Sequence, residues 1–415
     1  MKKLFLWSLY DFANSILLMG FLFYFSQWLV IDQGRPAWWY NAGLIIASAL
    51  FIITAPFVSR RIDATKRKIG GLRIWTCIAL VGHIVVALLT ILNNDADALI
   101  LSIYILSTYV YLVCFLYFTP MLNDLSTPED RSWKSGIGQG ANSIGQVVGV
   151  LVTLPFANGL TLFGEPGRAQ ALLPATIIFG ILALPMLLFY KEETGPDNQK
   201  KFSRSVPAAS IKLDLVTMFK EVFRYRPLAF LLLAYFLFSD SLLTFANNFP
   251  LYLQTVHNVS DSIKTTLAAS ILILAAIGAI VLGKVADKKG KLKVLKLVIL
   301  AWCVIFLAIA FVSNLYALFP IFLLAGLLFG PVWAISRALV GELAPPHLVA
   351  STYSYYVVAE RFATFIGPAI WSLALVVMDE NARGYQVAMI SLAVLMIVSF
   401  FVLGKIKLTN ATSQA

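Results

Sequence analysis

Residues 271–291 read ILILAAIGAIVLGKVADKKGK: twelve positions without a charge, then a glycine, then five charged side chains within eight residues. The apolar run begins upstream at Ile263, and a second one, residues 295–313, follows the charged cluster. A helix that crosses the hydrocarbon core of a bilayer, about 30 Å thick, needs about 20 mostly apolar residues. The stretch therefore reads as two membrane crossings joined by a short basic turn. The same reading extends outward to the whole chain. Twelve candidate spans can be marked, at 4–30, 38–58, 74–92, 98–121, 135–158, 171–190, 227–254, 263–283, 295–313, 317–340, 350–378 and 385–404. The longest polar interruption, 191–226, is too short to bury a core of its own. The expected fold is an all-α membrane protein with twelve transmembrane helices.

Composition agrees. Of 415 residues 60% are hydrophobic and 13% charged, against roughly 45–50% and 25% in soluble domains. The net charge of +11 would suit nucleic acid only if it formed a basic face on a folded domain. Instead it follows the positive-inside pattern. With the N-terminus inside, 26 of the 32 Lys and Arg fall on the inner side, four on the outer (Arg35, Arg168, Lys264, Arg383) and two within spans (Arg337, Arg361). Both termini are expected on the cytoplasmic side, in the inner membrane if the host is bacterial. Cys77, Cys114 and Cys303 lie in apolar runs without metal-ligand spacing, and His83, His257 and His347 are scattered, so no metal, cofactor or disulfide framework is expected. The run after Lys2 and Lys3 is too long for a signal peptide and carries Asp11 and Asn14, so it reads as a retained first helix.

Two similar halves are expected: 1–190 as one six-helix bundle, 191–226 as a cytoplasmic linker, and 227–415 as the second bundle with a short tail. Asp11 and Asp240 occupy corresponding places in spans 1 and 7, and Asp63 and Asp287 follow spans 2 and 8 at nearly the same period. In the linker, Ile211, Leu215, Phe219, Val222 and Phe223 repeat at helical spacing. That stripe suits either an amphipathic helix on the anionic leaflet or a short helix against the bundle ends.

Gly283, Asp287, Lys288, Gly290 and Lys291 resemble the loop motif of the major facilitator superfamily, in which this loop helps latch the halves. The first-half copy around Asp63 lacks the glycines. Tyr10-Asp11-Phe12-Ala13-Asn14-Ser15, Leu122-Asn123-Asp124-Leu125-Ser126, Ser135-Gly136-Ile137-Gly138, Leu232 to Asp240, Ala334-Ile335-Ser336-Arg337 and Gly367-Pro368 resemble the autophagy-related vacuole effluxer family and its bacterial relatives. The resemblance implies efflux of small polar solutes, amino acids foremost, through two pseudo-symmetric six-helix bundles.

The residues themselves point the same way. An ionisable side chain at a helix centre costs about 2.5–3.5 kcal/mol on the insertion scale, so it faces a cavity or a partner. Asp11, Asn14, Asp240, Thr244, Asn247, Glu360 and Arg361 are the candidate solute- and proton-binding residues, and Asp63, Asp287 and Arg337 the candidate gating residues. Structural ion pairing is the alternative for the membrane charges, and Arg337 could instead snorkel from its span end. Asp240 and Glu360 are the expected proton carriers, and Tyr24, Trp28, Trp333 and Tyr356 candidate cavity aromatics. Gly136, Gly138, Gly140, Gly145 and Gly149 imitate a dinucleotide fingerprint, but no strand precedes them; spaced this way in a span they permit close helix packing. No nucleotide-binding loop of the Gly-x-x-x-x-Gly-Lys-Ser/Thr type is present. The sequence thus reads as a monomeric, proton-coupled secondary transporter in membrane lipid, not an enzyme. An uncoupled facilitator, or a receptor or scaffold, is the alternative.

Overall fold

The structure, a computed structural model, describes residues 2–35, 37–92, 96–192, 224–259, 261–362, 366–378 and 382–406. Among these, 12 helices are long and apolar enough to cross a membrane, and no β-strand occurs. The N-terminal bundle holds α1 (Lys2–Gly20), α2 (Ala37–Thr65), α3 (Ile69–Leu92), α4 (Asp97–Phe118), α5 (Arg131–Ala157) and α6 (Leu172–Phe189). The C-terminal bundle holds α7 (Arg226–His257), α8 (Asp261–Lys289), α9 (Lys291–Phe311), α10 (Leu315–Leu343), α11a (Val349–Phe362) with α11b (Ile366–Val377), and α12 (Ala382–Gly404). The amphipathic stripe expected between Ile211 and Phe223 lies outside the described residues.

Every expected span has its helix. Two run well past the apolar limit, α2 to Thr65 and α8 to Lys289. Hydropathy marks where lipid ends, whereas the helix continues into water. There Lys288 and Lys289 in the last turn of α8 suit its negative end. Asp63 and Asp287 consequently stand on helix ends and not in loops. α1 is prolonged by two wider π-helical turns, Phe21–Phe25 and Trp28–Asp32.

Successive helices alternate in direction, so the ends at Lys2, Thr65, Lys289 and Gly404 share one face, here the terminal face. The bundles meet along two seams, α5 against α8 and α2 against α11a. Glycine makes the first seam close. A Cβ on Gly136 would lie 2.2 Å from the Ala279 carbonyl oxygen, and one on Gly283 would lie 2.6 Å from that of Ser132. The other side of α5 packs on α1, where a Cβ on Gly145 would lie 2.4 Å from the Phe12 carbonyl oxygen. The α5 glycine series therefore serves two backbone contacts at once, as small-residue packing in lipid requires.

Candidate functional site

Two carboxylates close the terminal face. Asp287, at the end of α8, accepts hydrogen bonds from the backbone N–H of Ser132 (3.0 Å) and of Trp133 (2.7 Å), the first residues of α5. Asp63, at the end of α2, accepts from the backbone N–H of Ala350 and Ser351 (both 2.8 Å) and from the Ser351 hydroxyl (2.6 Å), at the start of α11a. The first helical N–H groups lack intrahelical acceptors and carry the positive end of the dipole, so a carboxylate is their natural partner. Each bond joins one bundle to the other. The Asp63 copy, without its glycines, is at least as fully engaged as the Asp287 copy. Lys291 extends the Asp287 latch through Glu342 (2.9 Å) and the Pro128 carbonyl. Asn123 adds a third tie: its amide donates to the Gly341 carbonyl (3.0 Å) and accepts from the Tyr353 hydroxyl (2.9 Å).

Deeper in the bundle lies a polar layer. Asp11 on α1 is buried; its Oδ1 accepts from Asn142 Nδ2 (3.2 Å), and Oδ2 stands 3.9 Å from the Arg337 guanidinium. Arg337 also donates to Gln139 Oε1 (3.3 Å), and Gln146 donates to Asn142 (2.8 Å). Arg337 does not snorkel: its side chain is 14% exposed, because α10 continues to Leu343 and holds it inside the bundle. Among the described residues, Asp11 Oδ2 and Arg337 Nε have no hydrogen-bond partner, nor does either polar atom of the Asn14 side chain. On the C-terminal side, Glu360 accepts from the Tyr235 hydroxyl (2.9 Å), Tyr235 stacks on Tyr356 (3.9 Å between ring centroids), and Tyr356 bonds Ser336 (3.1 Å). Arg337 feels Asp11 and Glu360 together. Arg361 lies within electrostatic reach of Tyr111, whose hydroxyl donates to the Asn14 carbonyl (3.2 Å).

Asp240 and Thr244 form a separate group on α7. Asp240 Oδ2 accepts from the Gly367 backbone N–H (2.5 Å), and both residues are buried, whereas Asn247 on the same stripe is exposed. The structure thus divides the expected site residues. Asp11, Arg337 and Glu360 form one electrostatic group with Asn14 and Arg361 beside it, and Asp240 with Thr244 forms another. Above the Asp11 layer a cavity of about 1040 Å³ opens at the face opposite the latches. Met19, Tyr24 and Trp28 of α1, Val147 and Val150 of α5 and Leu272 of α8 line it, with exposed Asp32 and Glu165 at the rim. The π-helical turns supply Tyr24, Trp28 and Asp32, whereas Asp11, Gln139, Asn142, Gln146 and Arg337 are not among the cavity's described lining residues.

Gln139, Asn142 and Gln146 were not legible as site residues, although they recur at helical spacing on one face of α5. The glycine series in the same span drew the reading toward packing alone. Tyr111 and Tyr235 were masked in another way, since tyrosine is common throughout membrane spans.

Comparison with known proteins agrees with this architecture. An uncharacterised protein of Aquifex aeolicus is 23% identical over 68% of this chain and 66% of its own length. The uncharacterised transporter YxiO of Bacillus subtilis is 23% identical over 96% of this chain and 93% of its own. Autophagy-related protein 22 of Cryptococcus neoformans is 30% identical over 22% of this chain and 16% of its own. Among solved structures, FucP in the outward conformation superposes with a TM-score of 0.73 at 13% identity, over 98% of this chain and 99% of that one. A bacterial homologue of the iron transporter ferroportin, outward-facing, gives 0.72 at 12%, over 97% and 98%. The Major Facilitator Superfamily model matches residues 113–368 and 265–411. With this match and twelve helices in two six-helix bundles, the chain belongs to the Major Facilitator Superfamily of membrane transporters.

Proposed function

We propose that the protein expels a small, amino-acid-like solute across a cytoplasmic membrane by alternating access, in exchange for protons. The observation that carries this reading is the Asp11–Arg337 pair. It joins helices of opposite bundles at 3.9 Å, with Asp11 Oδ2 and Arg337 Nε both lacking hydrogen bonds among the described residues. Opposite charges so placed suit a solute that carries both an ammonium and a carboxylate group. The carboxylate would take the planar fork of Arg337, and the ammonium would take Asp11. The amides of Gln139, Asn142 and Asn14 would hold its polar remainder.

Exchange follows from competition. Asp11 can hold the ammonium group or a proton but not both, so a proton arriving from outside favours solute release. Glu360, within electrostatic reach of the same arginine and bonded by the Tyr235 hydroxyl, is the second candidate proton carrier. The charge bias of the loops favours the latched terminal face as cytoplasmic, which makes this conformation outward-facing. The structural neighbours include a fucose:proton symporter, a bacterial homologue of an iron transporter and a human organic anion transporter. Their cargoes differ while the fold stays constant, so the solute has to be argued from this chain's own side chains.

The reading is tested by efflux of radiolabelled neutral amino acids from proteoliposomes, with and without an inward proton gradient. The wild-type protein should expel them faster with the gradient, Asp11→Asn should lose that acceleration, and Arg337→Gln should raise the half-saturating concentration at least tenfold. Equal efflux in all three proteins, or none from the wild type, would refute it.

A further inference from the structure

A second groove, of about 480 Å³, lies between α9 and α12 at the terminal face and shares no described lining residue with the outer cavity. Gly290 stands at its mouth, Lys293, Lys296, Leu297 and Leu300 line it from α9, and Phe400 closes it from α12. The four α9 positions recur at helical spacing, so they share one face of the helix. Along that face two ammonium groups come first and hydrocarbon follows. Leu297 is 57% exposed and Leu300 45%. On a membrane span, apolar side chains left open in this way face lipid.

The lysines are the anomaly. Lys291, at the helix start, is buried against Asp287 and Glu342. Lys293 is exposed and Lys296 half-buried, and neither has an ion-pair or hydrogen-bond partner among the described residues. Their depth makes this costly. α9 has 21 residues, about 31 Å at 1.5 Å each, so it matches a hydrocarbon core of about 30 Å only if its whole length is used. The part beyond the lysines, 297–311, covers only about 22 Å, and any tilt shortens that reach. Lys293 and Lys296 therefore stand where acyl chains give way to headgroups, and their ammonium groups snorkel outward from there.

We propose that this groove binds one anionic phospholipid, its phosphate held between Lys293 and Lys296 and its upper acyl chains laid against Leu297, Leu300 and Phe400. Side chains three apart on a helix are neighbours, so the two ammonium groups converge on one phosphate. In the orientation that the loop charges favour, the leaflet beside the groove is the cytoplasmic, anionic one, and basic pockets between spans on that side suit such headgroups. A zwitterionic headgroup would bring a third cation to two unpaired ones. An acidic peptide would lay its charges beside Leu297 and Leu300, at a depth that lipid already fills. Residues 407–415 carry a lysine and no acidic side chain, so they do not supply the counter-charge. The inference rests on the membrane reading and not on the solute, so its failure leaves the exchange reading standing.

The test uses the purified chain in detergent micelles, stripped of lipid and titrated with dioleoyl phosphatidylglycerol or dioleoyl phosphatidylcholine. Native mass spectrometry counts the lipid that stays bound. Each lysine at an anionic headgroup is worth about fivefold in affinity, so the wild type should retain one phosphatidylglycerol with a preference of about tenfold or more. Lys293→Gln/Lys296→Gln should lose that preference. Lys2→Gln/Lys3→Gln removes the same charge from the same face of the other bundle and should keep it. Leu300→Ser, at an exposed site where folding is little affected, should weaken retention of phosphatidylglycerol several-fold. Excess inorganic phosphate should not displace the lipid. Equal retention of the two lipids by the wild type would overturn the proposal. So would a preference that survives Lys293→Gln/Lys296→Gln or disappears as fully in Lys2→Gln/Lys3→Gln, retention unchanged by Leu300→Ser, or displacement by phosphate alone.

Discussion

Gly341 occupies a corner where a Cβ would lie 2.2 Å from Asn123 Oδ1 and 2.3 Å from the Tyr353 hydroxyl. One turn earlier on α10 stands Arg337, whose carbonyl is 3.2 Å from the same hydroxyl. A single amide on the N-terminal bundle thus grips α10 and α11a just below the Arg337 guanidinium. Gly341→Ala should force this tie apart. Overpacking a filled site costs about 1–3 kcal/mol, so the melting temperature of the purified protein should fall by a few degrees. An unchanged melting temperature would mean the corner relaxes freely. The sequence offered Asn123 only as part of a resemblance; nothing local indicated that its amide reaches a carbonyl 218 residues away. Arg337 was legible as an intramembrane charge, but its side chain's direction depended on where α10 ends, and hydropathy marks a lipid boundary, not a helix end.

At the scale of the helices, closure of the terminal face rests on two carboxylate caps, each reaching across a seam. Asp63 accepts three hydrogen bonds and Asp287 two from its capped helix. Hydrogen bonds to a charged group are worth about 1.5–3 kcal/mol each. Asparagine keeps one acceptor oxygen and loses the charge, so either Asp→Asn change should populate the state open at the terminal face, with Asp63→Asn at least as strong as Asp287→Asn. A cysteine at buried Ser135, in a background lacking Cys77, Cys114 and Cys303, reports this by its rate of maleimide labelling. The rate should rise several-fold in each variant and further in the pair; unchanged rates would make the caps mere helix terminators. From sequence, the glycines around Asp287 made that copy visible and their lack made Asp63 look weaker. The carboxylate and the helix N-terminus that it meets do the capping, and glycine is not needed for it.

Across the whole molecule, the internal repeat legible in the spacing of Asp11 to Asp240 and Asp63 to Asp287 becomes a physical symmetry only in part. The two latches mirror one another, α2 to α11a and α8 to α5. The membrane aspartates do not: Asp11 faces Arg337, whereas Asp240 meets the Gly367 backbone. The helix number was legible because lipid imposes one strong rule on every span. The partners of each polar residue were not, because they depend on contacts between bundles that no local pattern encodes. With the latches made at one face and a cavity open at the other, alternating access requires the bundles to rock about the Asp11–Arg337 layer. Spin-label distances measured by double electron-electron resonance test it directly, using exposed Thr65 with Lys289 at the terminal face and Glu165 with Tyr316 opposite. In the Asp63→Asn/Asp287→Asn protein, the first distance should gain a longer population while the second gains a shorter one in equal proportion. Two distances that stay single-valued, or that lengthen together, would contradict alternating access in this protein.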